Sequence, residues 1–312
     1  MINEKPLVSY VVTTYNIENF VEESVKCAFA QTYSPLEIVL SDDCSTDKTF
    51  EIMKKMAEEY NGPHKIILNR NEHNLGITKH MNKAYLELAT GEIIIAAHGD
   101  DISLPERTQK SCEFLKEYPE CTACSFSIQA VNENGENIGA HSSKVNQLMI
   151  YELSKYGHRN IPAPSRAFYK EAFARFGPLN DDCPTEDELI SFRAALCGKL
   201  AFLPDIMIKY RKHSTSSSNP ENFDKFPLEK ILKQQNDDMI KAVSMGLITE
   251  NQRLEMYQNF EKGMYLRKKY RVYFANRPFK SLISLVMHNG LSLRGRLGYI
   301  KNHLLYLKEK LK

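Results

Sequence analysis

Short apolar runs alternate with segments of helical periodicity along the first hundred residues. The predicted strands lie at 7–13, 36–40, 65–68 and 92–97, and the predicted helices at 17–30, 47–60 and 77–89. Asp47 is an N-cap candidate for the second helix. Because strands that alternate with helices are joined by right-handed crossovers, they form a mainly parallel sheet with helices on both faces. The sequence therefore predicts an α/β fold.

Polar residues follow each predicted strand, at the point where the carboxyl ends of parallel strands meet at one edge of a sheet. These polar segments are 13–16, 41–47, 74–76 and 98–101. Ligands of such sheets bind outside this edge. The adjacent carboxylates of Asp100 and Asp101 repel each other, and a divalent cation with oxygen ligands would relieve that repulsion. The alternative is a solvated Asp-Asp turn.

Glycine-rich phosphate loops are absent from the sequence. It contains neither Gly-x-Gly-x-x-Gly nor a Gly-Lys followed by Ser or Thr. The dinucleotide fingerprint and the P-loop are therefore both excluded. A diphosphate bound at this edge would need a metal ion to neutralise its charge.

A densely acidic segment occurs further along the chain. Five carboxylates lie within eight residues, namely Asp181, Asp182, Glu186, Asp187 and Glu188. Thr185 is positioned to cap a helix that continues to Leu196. The carboxylates either favour the helix dipole as N-terminal charges or take part in acid–base chemistry, and the sequence leaves both interpretations open.

Composition indicates a cytoplasmic protein. Of the 312 residues, 42% are hydrophobic and 26% are charged, which is ordinary for one large domain with an additional segment. The N-terminus leads directly into a strand instead of the longer apolar region of a signal peptide, and no apolar run approaches the roughly 20 residues of a spanning helix. Seven cysteines, an odd number, suggest reduced thiols.

The last ninety residues differ in composition from the rest. Helical periodicity predicts helices at 228–242, 250–274 and 291–311. Residues 262–312 contain 13 Lys and Arg and one acidic residue, a net charge of +12 in a protein of net charge +2. Basic helices with interleaved aromatic and leucine residues suit an anionic membrane surface. Nucleic acid is the competing partner, and a solvated helical bundle is the third interpretation.

Several short motifs together resemble family 2 glycosyltransferases, which have the GT-A fold. The motifs are Val11–Asn16, Gln31-Thr32-Tyr33, Glu37–Asp47, Asn74-Leu75-Gly76, His98–Asp101 and Glu186-Asp187. The resemblance covers about residues 6–215. It implies a Rossmann-like GT-A domain at 1–221, with a mainly parallel central sheet flanked by helices, and a basic helical C-terminal region at 222–312.

The resemblance also assigns roles to individual residues. Those that match donor-nucleotide positions are Thr13, Tyr15, Asp43 and Asp100, with Asp43 receiving the uracil edge and Asp100 the ribose. Asp101 matches the ligand of Mn²⁺ or Mg²⁺, although His98 stands where many relatives have a further Asp. His213, in a Tyr-Arg-x-His segment, matches a residue that can approach the metal and diphosphate. Asp187 matches the general base, and Glu186 a neighbour that orients or tunes it.

Between these motifs the sequence predicts mostly acceptor-side structure. A helix is expected at 104–118 and a strand at 121–131, followed by an Asn-Gly turn. Residues 137–164 read as irregular loops of the acceptor cleft, and 199–208 as a short strand pair. The hydroxyl-rich residues 214–220 read as a lid or linker.

The expected function is a metal-dependent, inverting hexosyltransferase. It would move a sugar from a nucleotide diphosphate donor, UDP-linked, to a glycan or lipid-linked acceptor in bacterial surface polysaccharide assembly, at the inner face of the membrane. The absence of tryptophan excludes the Gln-x-x-Arg-Trp segment of processive synthases and favours single additions. The alternatives are a non-catalytic nucleotide-sugar-binding module and a sugar nucleotidyltransferase, although the latter's Gly-rich Arg/Lys loop is not found.

Overall fold

The computed structural model describes residues 5–141, 146–148, 154, 165–214, 216 and 227–276, together with positions 283, 286, 297 and 300. The strands are β1 Val8–Thr14, β2 Leu36–Asp42, β3 Lys65–Arg70, β4 Ile93–His98, β5 Ile102–Ser103, β6 Cys121–Val131, β7 Asn137–His141, β8 Asn146–Leu148, β9 Arg166–Tyr169 and β10 Lys199–Arg211. The helices are α1 Val21–Phe29, α2 Thr49–Glu59, α3 Ile77–Asn82 with a following π-helical turn Lys83–Leu88, α4 Arg107–Glu117, α5 Lys170–Ala174, α6 Asp187–Cys197, α7 Leu228–Ser244 and α8 Glu250–Asn276.

The described strands form one mixed sheet in the order β3-β2-β1-β4-β9-β6-β10-β5, with β7 beside β6 and β8 beside β10. Strands β1 to β4 pair in parallel, as the alternating pattern predicts. In register, Thr13 pairs with Ser41 of β2 and with His98 of β4. The carboxyl ends of the three central strands therefore meet, and this confirms the predicted α/β fold and its polar edge.

Both faces of the central strands are buried because successive side chains alternate between two hydrophobic layers. Val8, Tyr10 and Val12 pack with residues of α1, α2 and α4. Val11 packs on the opposite face with residues of α3, the π-helical turn, α6 and α7. Burial of each such aliphatic side chain stabilises the fold by about 1.5–3 kcal/mol.

Helix boundaries differ from the predicted ones by a few residues. Helix α2 begins at Thr49, and Asp47 lies just outside it, where its carboxylate accepts the N–H groups of Thr49 and Glu18. The N-cap is Lys48, so the prediction that Asp47 is the N-cap is wrong by one position, although the Asp47 carboxylate still satisfies a free N–H at the helix start. Helix α4 begins at Arg107, three residues later than predicted.

Two predictions for the second half of the sheet are wrong. The expected pair at 199–208 is one strand of 13 residues, Lys199–Arg211, whose register against β6 shifts around Pro204 and Ile206 because proline donates no ladder hydrogen bond. Residues 137–141 and 146–148 are strands instead of loops. Most of 149–164, most of the segment 214–220 and all of the predicted helix at 291–311 except positions 297 and 300 lie outside the described residues.

Helices α7 and α8 pack against α6 through a third hydrophobic layer, which includes Phe192, Met239 and Phe260. A buried ion pair joins Arg193 of α6 to Asp238 of α7, with nitrogen–oxygen distances of 2.8 and 3.0 Å. The predicted domain boundary at 221/222 lies outside the described residues. Of the helices in the described part of the chain, none has the length and apolar character that crossing a membrane would require.

Candidate active site

The turn after β4 brings two adjacent carboxylates to the edge of the sheet. Gly99 donates its N–H to Thr13 O at 3.0 Å, and Asp101 donates its N–H to His98 O at 3.1 Å. A Cβ at position 99 would lie 2.5 Å from the side chains of both Ile17 and Thr14, so a larger residue here would force these side chains to shift. The turn therefore fixes the carboxylates directly beside the end of β1.

Asp101 is buried in an environment that disfavours its charge. It is 5% exposed, and its Oδ1 accepts the backbone N–H of Arg211 at 2.9 Å. Its buried Oδ2 has no hydrogen-bond partner in the described part of the chain. Burial, and then repulsion by the Asp100 carboxylate, raise the pKa of Asp101 well above its ordinary value. A bound cation would satisfy this orphaned oxygen.

Asp100 has the opposite electrostatic environment. Its Oδ2 accepts a hydrogen bond from His213 Nε2 at 3.0 Å. Burial acts to raise its pKa, but the bond from His213 and the charges of His98 and His213 outweigh it, so the pKa of Asp100 lies below its ordinary value. The ring of His213 packs on Phe20 at a centroid distance of 4.8 Å. His213 therefore lies against the predicted donor edge.

Arg211 holds this arrangement together from the end of β10. Its side chain donates to Asp100 O at 3.0 Å and to Glu133 O at 2.6 Å. It also forms an ion pair with Glu23 and lies over the ring of Phe20. Since its backbone N–H binds the Asp101 carboxylate, one residue connects this carboxylate and the Asp100 backbone to β10.

The arrangement suits a divalent cation. His98, Asp100 and Asp101 each offer a ligand atom, and these atoms lie within 4.8 Å of one another. His213 adds a fourth group, through its contact with Asp100. Oxygen ligands with imidazole nitrogen are a donor set that Mn²⁺ accepts readily and that Mg²⁺ accepts through the oxygens. The predicted metal residue Asp101 lies in this cluster with His98 and Asp100, and the other predicted metal residue, His213, lies next to it, hydrogen-bonded to Asp100.

The predicted nucleoside residues lie along the same edge. Thr13 is buried at the end of β1, and Tyr15 is 47% exposed beyond it. Asp43 is buried, and its carboxylate accepts hydrogen bonds from Asn71 Nδ2 and Leu75 N, both at 2.8 Å. A third bond comes from Gly76 N at 3.0 Å. Asp43 therefore ties the loop after β3 to the end of β2, and it does so from the predicted uracil position.

The acidic segment comes close to the same edge through Glu186. The distance between Glu186 Oε1 and His98 Nε2 is 3.9 Å. Glu186 is 6% exposed, and burial, followed by repulsion from Asp187, raises its pKa. The structure therefore places the Glu186-Asp187 segment beside the candidate metal cluster, although the two are about ninety positions apart in sequence.

Asp187 is half-buried and held by two donors at one oxygen. Its Oδ1 accepts the hydroxyl of Thr185 and the backbone N–H of Glu188, each at 2.6 Å. The prediction that Thr185 caps α6 is wrong, since the helix begins at Asp187 and the Thr185 hydroxyl donates to the Asp187 carboxylate. Asp187 itself binds the free N–H at the helix start.

The comparison with family models decides the identification. The model described as glycosyl transferase family 2 matches residues 9–177, more than half of the chain. The chain belongs to glycosyltransferase family 2. This confirms the resemblance seen in the motifs. The match ends before Glu186, Asp187 and His213, so their roles in this family 2 glycosyltransferase depend on the geometry around them.

Two relatives illustrate the sequence similarity. An uncharacterized glycosyltransferase of Haemophilus influenzae is 27% identical over 243 residues, which cover 74% of this chain and 73% of that protein. TuaG of Bacillus subtilis, a putative teichuronic acid biosynthesis glycosyltransferase, is 33% identical over 128 residues, which cover 41% of this chain and 48% of TuaG.

Two solved structures share the fold. TarS 1–349 of S. aureus in complex with UDP-GlcNAc has a TM-score of 0.65 and 19% identity over 91% of this chain and 79% of that chain. The mannosyltransferase PcManGT of Pyrobaculum calidifontis, in complex with GDP-Man and Mn²⁺, has a TM-score of 0.57 and 18% identity over 98% of this chain and 81% of that chain. The likeness confirms the predicted GT-A fold.

Sequence analysis of this family 2 glycosyltransferase missed residues that act through long-range contacts. Asn71 binds Asp43 and accepts a hydrogen bond from Lys83 Nζ at 2.9 Å. In the sequence, Arg211 is only the arginine of the Tyr-Arg-x-His segment that contains His213. Asn71 is the first residue after β3, so the rule that ligands bind at strand carboxyl ends could have found it. The contacts of Arg211 leave no comparable signal.

Proposed function

We propose that this family 2 glycosyltransferase transfers a sugar from a nucleotide diphosphate sugar, UDP-linked, to a hydroxyl group of a glycan or lipid-linked glycan, with inversion at the anomeric carbon. The observation that supports this most is the convergence of the Asp100-Asp101 turn and the Glu186-Asp187 segment, linked by the 3.9 Å contact between His98 and Glu186. TarS and PcManGT, which share the fold, are described with UDP-GlcNAc and with GDP-Man and Mn²⁺.

The donor would lie along the edge formed by β1, β2 and β4. Thr13, Tyr15 and Asp43 would contact the nucleoside, and Asp100 the ribose. Asp43 is already hydrogen-bonded to the loop after β3, so it would present a fixed acceptor to the base. A fixed acceptor at this position favours a base that offers an N–H at its edge, as uracil does.

Asp101, Asp100 and His213, with His98 beside them, would hold Mn²⁺ or Mg²⁺, which supplies positive charge to the leaving diphosphate. The fit rests on the buried, unpartnered Oδ2 of Asp101 and on the donor set around it. Arg211 contributes by binding the Asp101 carboxylate through its backbone N–H and the Asp100 backbone carbonyl through its side chain.

Asp187 would act as the general base. The Thr185 hydroxyl and the Glu188 N–H both donate to Oδ1 of Asp187. Oδ2 accepts no hydrogen bond from the described part of the chain. That oxygen would accept the proton of the acceptor hydroxyl while the acceptor oxygen attacks the anomeric carbon from the face opposite the leaving group. Glu186, whose pKa is raised, would remain protonated over a wider pH range and orient its neighbour.

Incubation with radiolabelled UDP-sugars and Mn²⁺ tests this function. Slow hydrolysis to UDP without an acceptor, and transfer to a glycan acceptor, are the expected results. Release of pyrophosphate would instead indicate a sugar nucleotidyltransferase. Donor binding without turnover in the presence of extracts containing lipid-linked glycans would indicate a non-catalytic binding module.

The proposed setting is bacterial surface polysaccharide assembly, which the description of TuaG as a putative teichuronic acid biosynthesis glycosyltransferase supports. The proposed location is the inner face of the membrane. The basic residues of 262–312 would bind anionic lipid, each contributing about 1 kcal/mol near the surface. Truncation after Asn276 leaves α8 intact and should reduce binding to phosphatidylserine vesicles, and so should added salt. Equal binding of both proteins, or equal binding to neutral vesicles, would contradict this partner.

A further inference from the structure

The C-terminal helix α8 reaches the acidic segment through one arginine. Arg267 Nη1 lies 2.7 Å from Glu188 Oε2, and Nη2 lies 3.2 Å from Glu188 Oε1. The pair is bidentate. The side chain of Arg267 is 31% exposed, and that of Glu188 is 13% exposed. Bidentate pairs with partial burial fix geometry better than exposed ion pairs do.

Glu188 connects this contact directly to Asp187. The backbone N–H of Glu188 donates to Asp187 Oδ1 at 2.6 Å. The side chain of Glu188 also accepts a hydrogen bond from Gln235 Nε2 of α7 at 3.3 Å. Both C-terminal helices therefore hold the residue whose N–H positions the Asp187 carboxylate.

The Arg267 contact also reduces the repulsion among the acidic residues at the start of α6. Glu186, Asp187 and Glu188 are three consecutive acidic residues, and like charges in one turn repel each other. Arg267 compensates the charge of Glu188 and also interacts favourably with Asp187. On the other side of the segment, the buried Arg166 of β9 interacts favourably with Glu186 and Asp187.

Other contacts hold the helical hairpin in place independently of Arg267. The Arg193–Asp238 pair is fully buried, and Gln234 Nε2 donates to Asp238 at 2.9 Å. The hydrophobic layer among α6, α7 and α8 adds Met256 and Phe260. Removal of the Arg267 guanidinium should therefore leave the packing of the helices intact and alter only the acidic turn.

We propose that Arg267 is a positioning residue for sugar transfer, which acts through Glu188 on the carboxylate of Asp187. This inference rests on the proposed function, because it takes Asp187 as the base. It makes the C-terminal helices part of the catalytic unit, since the helix that continues toward the basic tail also sets the geometry of the base.

The experiment measures kcat and KM of Arg267→Ala, Arg267→Lys and Glu188→Gln, with the concentrations of donor and acceptor varied in turn. Arg267→Ala should lower kcat about tenfold, a size typical of coupling between residues in contact, with KM for donor and acceptor nearly unchanged. Arg267→Lys should recover part of the loss because lysine keeps the charge but loses the bidentate geometry. In the Glu188→Gln background, Arg267→Ala should have little further effect.

Arg253→Ala is the matched control. Arg253 lies on the same helix, binds Glu250 and donates to Asn236 Oδ1 of α7 at 2.8 Å, so it makes similar interhelical contacts away from the acidic turn. Its kcat should remain at the wild-type value. Thermal melting of each variant shows whether folding is affected, and equal melting temperatures with unequal kcat would support positioning.

Three results would overturn the inference. They are wild-type kcat for Arg267→Ala, an equal loss in Arg253→Ala, and a rise in acceptor KM with unchanged kcat, which would indicate direct acceptor contact. Asp187→Asn separates this failure from that of the proposed function. If Asp187→Asn is inactive while Arg267→Ala is normal, only the positioning role is wrong, whereas an active Asp187→Asn removes the proposed base itself.

Discussion

Two pairs of adjacent acidic residues face the same edge of the sheet, and their environments differ. In the pair after β4, the second residue, Asp101, is buried with an orphaned oxygen, and Asp100 is hydrogen-bonded to His213. In the pair that opens α6, the first residue, Glu186, is buried, and Asp187 is held by two donors at one oxygen. Each pair thus contains one residue with a raised pKa, in the opposite order.

The difference between the two pairs shows how similar carboxylates come to lie in environments that suit different chemistry. The α6 pair has positive charge from the chain itself, from Arg166 and Arg267 and from the helix N-terminus. Asp101 also lies near the charges of Arg107 and Arg211, but the Arg211 N–H satisfies only one of its oxygens, and the other has no donor in the described part of the chain. The first environment suits a carboxylate that exchanges protons, and the second suits one that binds a cation.

The largest expected effect comes from Asp187→Asn. Asparagine keeps the hydrogen bonds at the helix start but cannot take the acceptor's proton, so turnover should fall by about 100-fold or more. Donor and metal affinity, measured by calorimetry, should stay near wild type. Glu186→Gln should have a milder effect on turnover. The reverse order would assign the base to Glu186 and remove the distinction between the two pairs.

Asp101→Ala should abolish the metal dependence of donor binding. Loss of groups around bound metals typically lowers affinity by about 10- to 100-fold, and loss of a ligand should cost at least as much. The measurement is UDP affinity with and without Mn²⁺, with Asp100→Ala as the matched variant. If Asp100→Ala removes the metal dependence and Asp101→Ala keeps it, Asp100 is the ligand and Asp101 serves only to hold Arg211.

His98→Asp tests why an imidazole lies between the two pairs. Nitrogen ligands favour Mn²⁺ over Mg²⁺, so the wild-type protein should prefer Mn²⁺, and the variant should shift several-fold toward Mg²⁺. Titration of UDP binding at fixed concentrations of each ion measures the ratio of the UDP affinities with Mn²⁺ and with Mg²⁺. If the ratio of Mn²⁺ to Mg²⁺ preference is unchanged, His98 does not bind the metal, and its 3.9 Å contact with Glu186 is its role in the site.

The smallest expected effect is a change in the pH dependence of stability in Glu186→Gln. Since burial raises the pKa of Glu186 in the folded state, the folded protein binds this proton more tightly than the unfolded chain does. The resulting stabilisation is present below the unfolded pKa, about 4.3, and is lost as the pH rises through the folded pKa. Urea unfolding of both proteins across pH 4–8 should show a flatter dependence for Glu186→Gln, and parallel curves would contradict the raised pKa.

The sequence alone was enough to predict the alternating strands and helices, the edge where polar residues lie and the acidic turn after β4. These features depend on periodicity and on neighbours in the chain, which a sequence displays directly. The sequence did not predict β7, β8 and the continuous β10, because these strands are stabilised by partners far away in the chain.

The different environments of the acidic residues arise from contacts that form only in the folded chain. The Arg211 N–H that binds Asp101 is 110 positions away from it, and Arg267 is 79 positions away from Glu188. No local pattern encodes such contacts, because charge and burial at a site depend on whatever the fold brings there. The sequence could therefore propose Asp101 and Asp187 as residue types at suitable positions, whereas the fold decided that one has an orphaned buried oxygen and the other a tethered carboxylate.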